Sequence, residues 1–275
     1  MISPDDERYI LAHAYVPEHI VGLMAGISCG EPFLIEGYMG FYTADWVILV
    51  GFPLAANFDP EDFGRVIAGT ITSFRPKHLW FVAPEIPVSV AQFCQARESD
   101  EYYTLALQQF EPPASLRRIV NEASRELTVE RGSEIAREHE ELISECVQRG
   151  EPGPRIERLF LSMPERVAES ETVVVLTARD RWGKAVAFYV VELAATHFAT
   201  YVAGCHSNRH SVAGASDLLF TDMVALAREH RKSYIHLGLG VNDGIRRFKQ
   251  KWGGIPRLRY EFCEYRRGHP FDGRT

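Results

Sequence analysis

The chain has 275 residues, 46% hydrophobic and 24% charged, with a formal net charge of −7. Such a composition buries a real core over one large or two modest domains and excludes a long disordered tract. The acidic balance also disfavours a dedicated nucleic-acid binder, which carries a basic field.

Asp5, Asp6 and Glu7 stand where a secretory leader would place basic residues. The longest apolar stretch, 46–56, is far shorter than the ~20 residues of a spanning helix. The expectation is a cytoplasmic protein without a membrane span. Five cysteines (Cys29, Cys94, Cys146, Cys205 and Cys263) are scattered and form no CxxC, so neither a disulfide framework nor a zinc site is expected.

The run 46–52, closed by Pro53, predicts a buried strand. Asp59-Pro60 reads as an N-cap and a first-turn proline, opening a helix to about Phe74. Strands are predicted at 78–82 and 102–110. An amphipathic helix is predicted over 115–131, stopped by Gly132. Ser133 opens another to about Arg149, with the acid-rich run 133–145 as an exposed face. The segment Gly150-Glu151-Pro152-Gly153-Pro154 is the strongest punctuation in the chain. It divides an N-terminal α/β domain (1–150) from a C-terminal domain (151–275).

Beyond it, a helix is predicted near 155–161. Strands follow at 172–178, 184–194 and 197–205, and their short links make them antiparallel neighbours. Ser216 caps a helix to about His230, with Leu219, Met223 and Leu226 on one face. Next come a strand at 234–239, a short helix capped by Asn242 or Asp243 and running to Trp252, and a last strand at 256–265. Arg246, Arg247, Lys249, Lys251, Arg257, Arg259, Arg266 and Arg267 make this end locally basic, an anion-binding face on an acidic chain.

Three segments carry chemistry. The first is the loop 207–216, Ser-Asn-Arg-His-Ser-Val-Ala-Gly-Ala-Ser, which leads into a helix. Helix N-termini present unpaired N–H groups and partial positive charge, so phosphate settles there. The second is Leu-Gly-Leu-Gly-Val-Asn at 237–242. The third is Gly-Ile-Arg-Arg-Phe-Lys-Gln-Lys-Trp-Gly-Gly at 244–254. In that helix Ile245, Phe248 and Trp252 share one face, expected to pack on the sheet, and Arg246 and Lys249 lie on another. His206 and His210 sit four apart in a loop with no glutamate after the first, so no metal site is expected. Cys205 reads as a small core residue.

The order β-β-β-α-β-α-β resembles the core of the GNAT acyltransferase fold, an α/β fold on a mixed sheet. The segment 244–254 looks most like the Fem-type peptidoglycan aminoacyltransferases and the aminoacyl-transferring domain of lysylphosphatidylglycerol synthases. That resemblance implies a GNAT-like C-terminal half and a tandem of two such units, the first degenerate. It implies acyl-CoA or acetyl-CoA as co-substrate, with Asn208, Arg209, Ala213, Gly214, Ala215 and Ser216 around the pyrophosphate, although the loop holds a single glycine. The third and fourth strands of the C-terminal half should splay, and Val202, Gly204 and Gly238 would line the acyl slot. Asn242 would bond the pantetheine arm or serve only as the helix cap. Lys249 stands where many such enzymes have a tyrosine that protonates the leaving thiolate; it would protonate a leaving group, clamp phosphate or form a solvated basic face. His236 and Tyr260 are further catalytic candidates, or satisfied core residues. The leading expectation is acyl-CoA-dependent N-acylation of a small-molecule amine or peptide acceptor; the alternatives are aminoacyl-tRNA-dependent transfer of the Fem type, which an acidic chain does not favour, and a non-catalytic ligand-binding or sensor module.

Overall fold

The computed structural model describes residues 2–150 and 154–266. Helix α1 (Pro4–His13) starts in a capping box, with Ser3 and Asp6 satisfying each other's backbone N–H groups. A 3₁₀ turn at Pro17–His19 leads into α2 (Val21–Ser28). Strands β1 (Glu31–Ile35) and β2 (Tyr38–Tyr42) form a hairpin turned through Glu36 and Gly37, both at positive φ. Then come β3 (Trp46–Val50) and α3 (Pro60–Phe74), whose cap is Asp59, accepting from the Glu61 and Asp62 amides. After β4 (His78–Ala83) and the single turn α4 (Val88–Ala91), β5 runs Cys94–Ala106.

The chain continues through α5 (Ala114–Ala123), β6 (Leu127–Gly132), α6 (Arg137–Gly150), α7 (Pro154–Leu161) and α8 (Met163–Glu169). A meander follows: β7 (Val173–Asp180), β8 (Ala185–Glu192) and β9 (Phe198–His206). The closing elements are α9 (Ala215–Glu229), β10 (Tyr234–Leu239), α10 (Asp243–Lys251) and β11 (Ile255–Arg266).

Contacts divide the chain into two compact units. One comprises residues up to Tyr103, Leu239–Arg246 and the chain from Pro256; the other comprises Thr104–Gly238 and Arg247–Ile255. In the first unit the strand order is β1-β2-β3-β4-β11-β5. Alternation along its strands feeds two cores. Val47, Leu49 and Phe81 pack with Phe63 and Ile67 of α3, while Met39, Phe41 and Val50 pack with Ile10 and Val21 on the other face. In the second unit the order is β10-β9-β8-β7-β6. Phe188 and Val190 of β8 pack with Leu142 and Ile143 of α6 and Val167 of α8. Tyr189, between them, points to the opposite face and donates its hydroxyl to the Ser216 carbonyl of α9.

Several expectations are revised. The single helix predicted over 115–131 is α5 followed by β6. Pairing with β7 decides the second half, with Leu127 to Gly132 in continuous antiparallel register with Asp180 to Val175. Arg131 on that strand then bonds Asp222 and Glu229 of α9, a tertiary contact that overrides local helical preference. The helix expected from Ser133 begins at Arg137. β5 starts eight residues earlier than predicted, at Cys94 rather than Tyr102. A disulfide is present after all: Cys94 and Cys263 are joined across neighbouring strands, with Cα atoms 5.6 Å apart and 169 residues between them in sequence. Of the punctuating segment 150–154, Glu151, Pro152 and Gly153 lie outside the described residues, as does Arg267. No helix among the described residues is long and apolar enough to cross a membrane.

Candidate functional site

Each unit contains a strand–helix–strand step with parallel strands, and the two steps differ. In β3–α3–β4 all five residues of β3 lie in register with β4, and the Gly51 amide extends the pairing to the Val82 carbonyl. In β9–α9–β10 only three pairs form: Phe198 with Tyr234, Ala199 with Ile235, and Thr200 with His236. From Tyr201 and Leu237 onward the two strands part. Peptide groups on the parting edges lose their ladder partners, as a backbone that grips a ligand requires.

Two local features open the cleft. The β8–β9 register shifts between Val190 and Val191, which pair with Ala203 and Tyr201. Val202 is the extra residue of this bulge, and a bulge bends its strand and re-aims its side chains. On the other strand Gly238 sits at φ +72°, a conformation other L-residues rarely adopt.

The two strand glycines have different surroundings. A Cβ on Gly204 would lie 2.5 Å from the Tyr189 ring and 2.6 Å from the Tyr201 hydroxyl, so aromatic side chains already cover it. A Cβ on Gly238 would meet nothing nearer than 4.0 Å, where it would find the Lys249 Nζ and the Tyr201 carbonyl. Gly238 is thus the open position, and a lysine ammonium stands over it.

Lys249 reaches this place because α10 packs differently from its expected stripe. Ile245 is 37% exposed, whereas Lys249 is 5% exposed and Trp252 1%. Phe248, Lys249 and Trp252 therefore make the inner face. Trp252 stacks on Phe220 of α9 at 4.5 Å, and Phe248 meets the same ring edge-on. The helix begins with the Asn242 side chain accepting from the Ile245 amide at 3.0 Å, so Asn242 caps it. It ends where the Gly254 amide returns to the Lys249 carbonyl at 2.8 Å, with Gly253 at φ +82°. The buried Asp217, in the first turn of α9, accepts from Lys251 Nζ at 2.7 Å and from the Trp252 indole at 2.8 Å. Nothing in the sequence pattern singled out Asp217.

The local basic face is partly matched by acids. Lys251 faces Asp217, Arg246 lies 3.5 Å from Asp100, and Arg259 lies 3.5 Å from Glu261. Asp100 also accepts from the Gly240 and Val241 amides, which fixes the turn 239–242.

The loop after β9 carries Asn208, Arg209 and Ala213 as expected, but an internal carboxylate meets it. Glu145 of α6 accepts from the Ser207 hydroxyl and the Asn208 amide, each at 3.1 Å, and lies 3.9 Å from the Arg209 guanidinium. Burial works against the Glu145 charge, but the Asn208 and Ser207 hydrogen bonds outweigh it and hold the carboxyl below its usual range. Helix α9 is capped by Gly214 at φ +79° rather than by Ser216, and Ala215 and Ser216 form its first turn. A Cβ on Gly214 would lie 3.0 Å from Ile119 and 3.1 Å from Ala123 of α5. Gly214 is therefore required by the packing of α5 as well as by its backbone. Gly214→Ala is expected to cost about 1–2 kcal/mol of stability through left-handed strain alone, read from a urea titration; an unchanged midpoint would remove this packing argument.

His236 is fully buried, accepts from the Gly238 amide through Nδ1 at 3.2 Å and packs against Phe198. Tyr260 belongs to the first unit, 6% exposed and edge-on to Tyr102. Gly238 and Lys249 are the predicted site residues that meet at the cleft, with His236 bonded to the first of them. No group of three metal-ligating side chains occurs among the described residues.

No protein-family profile and no curated protein matches the sequence. Solved structures do match. The C-terminal domain (DUF2156) of a candidate lysylphosphatidylglycerol synthetase from Agrobacterium fabrum is 17% identical, with a TM-score of 0.62 over 94% of this chain and 91% of that one. FemX is 10% identical, with a TM-score of 0.64 over 94% of each chain. A GCN5-related N-acetyltransferase from Kribbella flavida is 14% identical, with a TM-score of 0.57 over 94% of this chain and 98% of that one. At such identities the likeness is one of fold: the chain has a GNAT-like fold, in a form it shares with FemX and with a lysylphosphatidylglycerol synthetase C-terminal domain.

Proposed function

We propose that this chain is an acyltransferase that works where β9 and β10 part, with Lys249 as its proton donor and an aminoacyl ester, carried by tRNA, as its acyl donor. The observation that carries this reading is the meeting of three features at one point: unregistered strand ends, the open face of Gly238 and the buried Lys249 ammonium. An amine adds to the ester carbonyl held between the strands. Backbone amides of β9 beyond Thr200 face the developing oxyanion. The carbon–oxygen bond of the ester then breaks, the Lys249 ammonium gives its proton to the departing oxygen, and the neutral Lys249 amine takes up the proton that the attacking nitrogen sheds. The β3–α3–β4 step, closed along β3, would be the degenerate counterpart in a tandem of two units.

The choice of donor rests on Glu145. An acyl-CoA needs the 207–216 loop for its pyrophosphate, and here a carboxylate already takes the Ser207 hydroxyl and the Asn208 amide. A second negative group at that place would be repelled. The fold is compatible with acyl-CoA, which is the competing donor. Calorimetric titration of the wild-type chain should find no saturable binding of acetyl-CoA or free CoA, and salt-sensitive binding of an aminoacyl-tRNA. Saturable CoA binding that is lost in Asn208→Asp would make acyl-CoA the donor. Binding of neither ligand would leave a sensor module. The acceptor, on this reading, is a small molecule or peptide with a free amine.

A further inference from the structure

Cys29, Cys146 and Cys205 carry free thiols, and the last two share one packed cluster. Cys146 lies on α6 and Cys205 on β9, and Cys146 packs against the buried cluster that contains Cys205. The Arg149 guanidinium, one turn along α6, donates to the Cys146 sulfur at 3.7 Å. Arg149 also lies 3.3 Å from His206 Nε2, so the cation is held over this corner of the fold. Cys205 is 2% exposed, whereas Cys146 is half-buried and reachable from solvent. Neither side chain has a part in the acyl-transfer chemistry above.

A sulfur that receives a guanidinium N–H beside a second thiol is stabilised as the thiolate, the reactive form. The neighbouring Cys205 thiol, with Arg149 adding to it against the opposing effect of burial, lowers the Cys146 pKa to about 6. The Cys205 thiol moves the other way, raised by its Cys146 neighbour and by burial. The pair thus divides into an accessible attacking sulfur and a buried resolving one.

We propose that Cys146 and Cys205 form a redox-active thiol pair that closes to an intrachain disulfide by exchange with a low-molecular-weight disulfide such as oxidised glutathione. In the first step the Cys146 thiolate attacks one sulfur of the small disulfide. A Cys146–glutathione bond forms, the glutathione S–S bond breaks, and one glutathione leaves as thiolate and takes a proton. In the second step Cys205 loses its proton and attacks the Cys146 sulfur. The protein disulfide forms and the second glutathione leaves. The protein pair is oxidised by two electrons and one glutathione disulfide is reduced to two thiols. The closed bond fastens α6, which carries Glu145, to β9.

The test exposes the full chain, with the Cys94–Cys263 bond in place, to oxidised glutathione. Acid quenching, alkylation and peptide mapping by mass spectrometry follow. The wild type is expected to give the Cys146–Cys205 disulfide about tenfold faster than exposed Cys29 becomes glutathionylated. Cys205→Ser should halt at the mixed disulfide on Cys146. Cys146→Ser should leave Cys205 unmodified. Wild-type Cys146 reacting no faster than Cys29, or keeping its glutathione with Cys205 still free, overturns the proposal without recourse to either variant.

Discussion

Lys249→Met is expected to lower kcat by about 10²–10³-fold in a chain that stays folded under the assay conditions. The magnitude is that of losing a positioned general acid, about 3–4 kcal/mol of transition-state stabilisation. Methionine is chosen because Lys249 is 5% exposed. An unbranched apolar chain of similar length keeps the packing of α10, while removal of a buried charge costs some stability by leaving its polar surroundings unmatched. The loss should fall on kcat rather than KM, since the proton is needed as the leaving oxygen departs and not when the ester binds. Lys249→Arg should not rescue. The guanidinium is broad and planar and does not release its proton, and the space above Gly238 is bounded by the Tyr201 carbonyl. Steady-state kinetics with an aminoacyl-tRNA donor, together with a urea titration, separate the outcomes. Full turnover in Lys249→Met assigns the ammonium no part in the chemistry.

How far the sequence carried this reading differs from element to element, for physical reasons. Strand β10 was legible at both ends because a short, mostly apolar run is bounded by Ser233 and Gly240. α3 was legible because its cap and first-turn proline are adjacent in sequence, and capping is a local interaction. The meander β7–β9 was legible because short links leave its strands only antiparallel neighbours. What escaped depends on partners far away in the chain. β6 was hidden inside a helical pattern until β7 paired with it. The first half of β5 is polar and exposed, so it lacks the alternation that marks a half-buried strand. Cys94 and Cys263 are joined only because β5 and β11 are neighbours.

The site divides along the same line. In the proposed site, Gly238 and Lys249 stand out in sequence through the glycine-rich turn and the Phe-Lys pair that follows it. The burial of Lys249 was not: an i, i+3, i+7 stripe through Ile245 pointed to the wrong face, and Phe220 draws in Phe248 and Trp252 instead. Glu145 lay in an acid-rich run that reads as a solvated helix face, and only the return of the loop after β9 gives it partners. The bulge at Val202 leaves no compositional trace, because any residue can be the extra one.

Asp217→Ala is the substitution expected to damage stability most, by about 2–4 kcal/mol. The carboxylate is 7% exposed and its Oδ1 holds two donors, the Lys251 ammonium and the Trp252 indole. These donors contribute unequally. The Lys251 side chain is 38% exposed, so its ion pair is screened and is worth at most about 1 kcal/mol. The Trp252 ring is 1% exposed and stacked on Phe220, so its N–H has no route to water once the carboxylate is gone. An orphaned buried donor costs about 1–3 kcal/mol, and losing an acid from the first turn of α9 adds about 0.3–1 kcal/mol. Asp217→Asn separates these contributions, since the amide oxygen can still accept from the indole while the charge is lost. Its expected cost is about 1 kcal/mol. Activity should follow the same order, because Trp252 anchors the end of α10 that carries Lys249. If urea titrations find both variants equally weakened, the ion pair and not the indole holds the helix. If neither variant loses stability, α10 is positioned by the Phe220 stack alone.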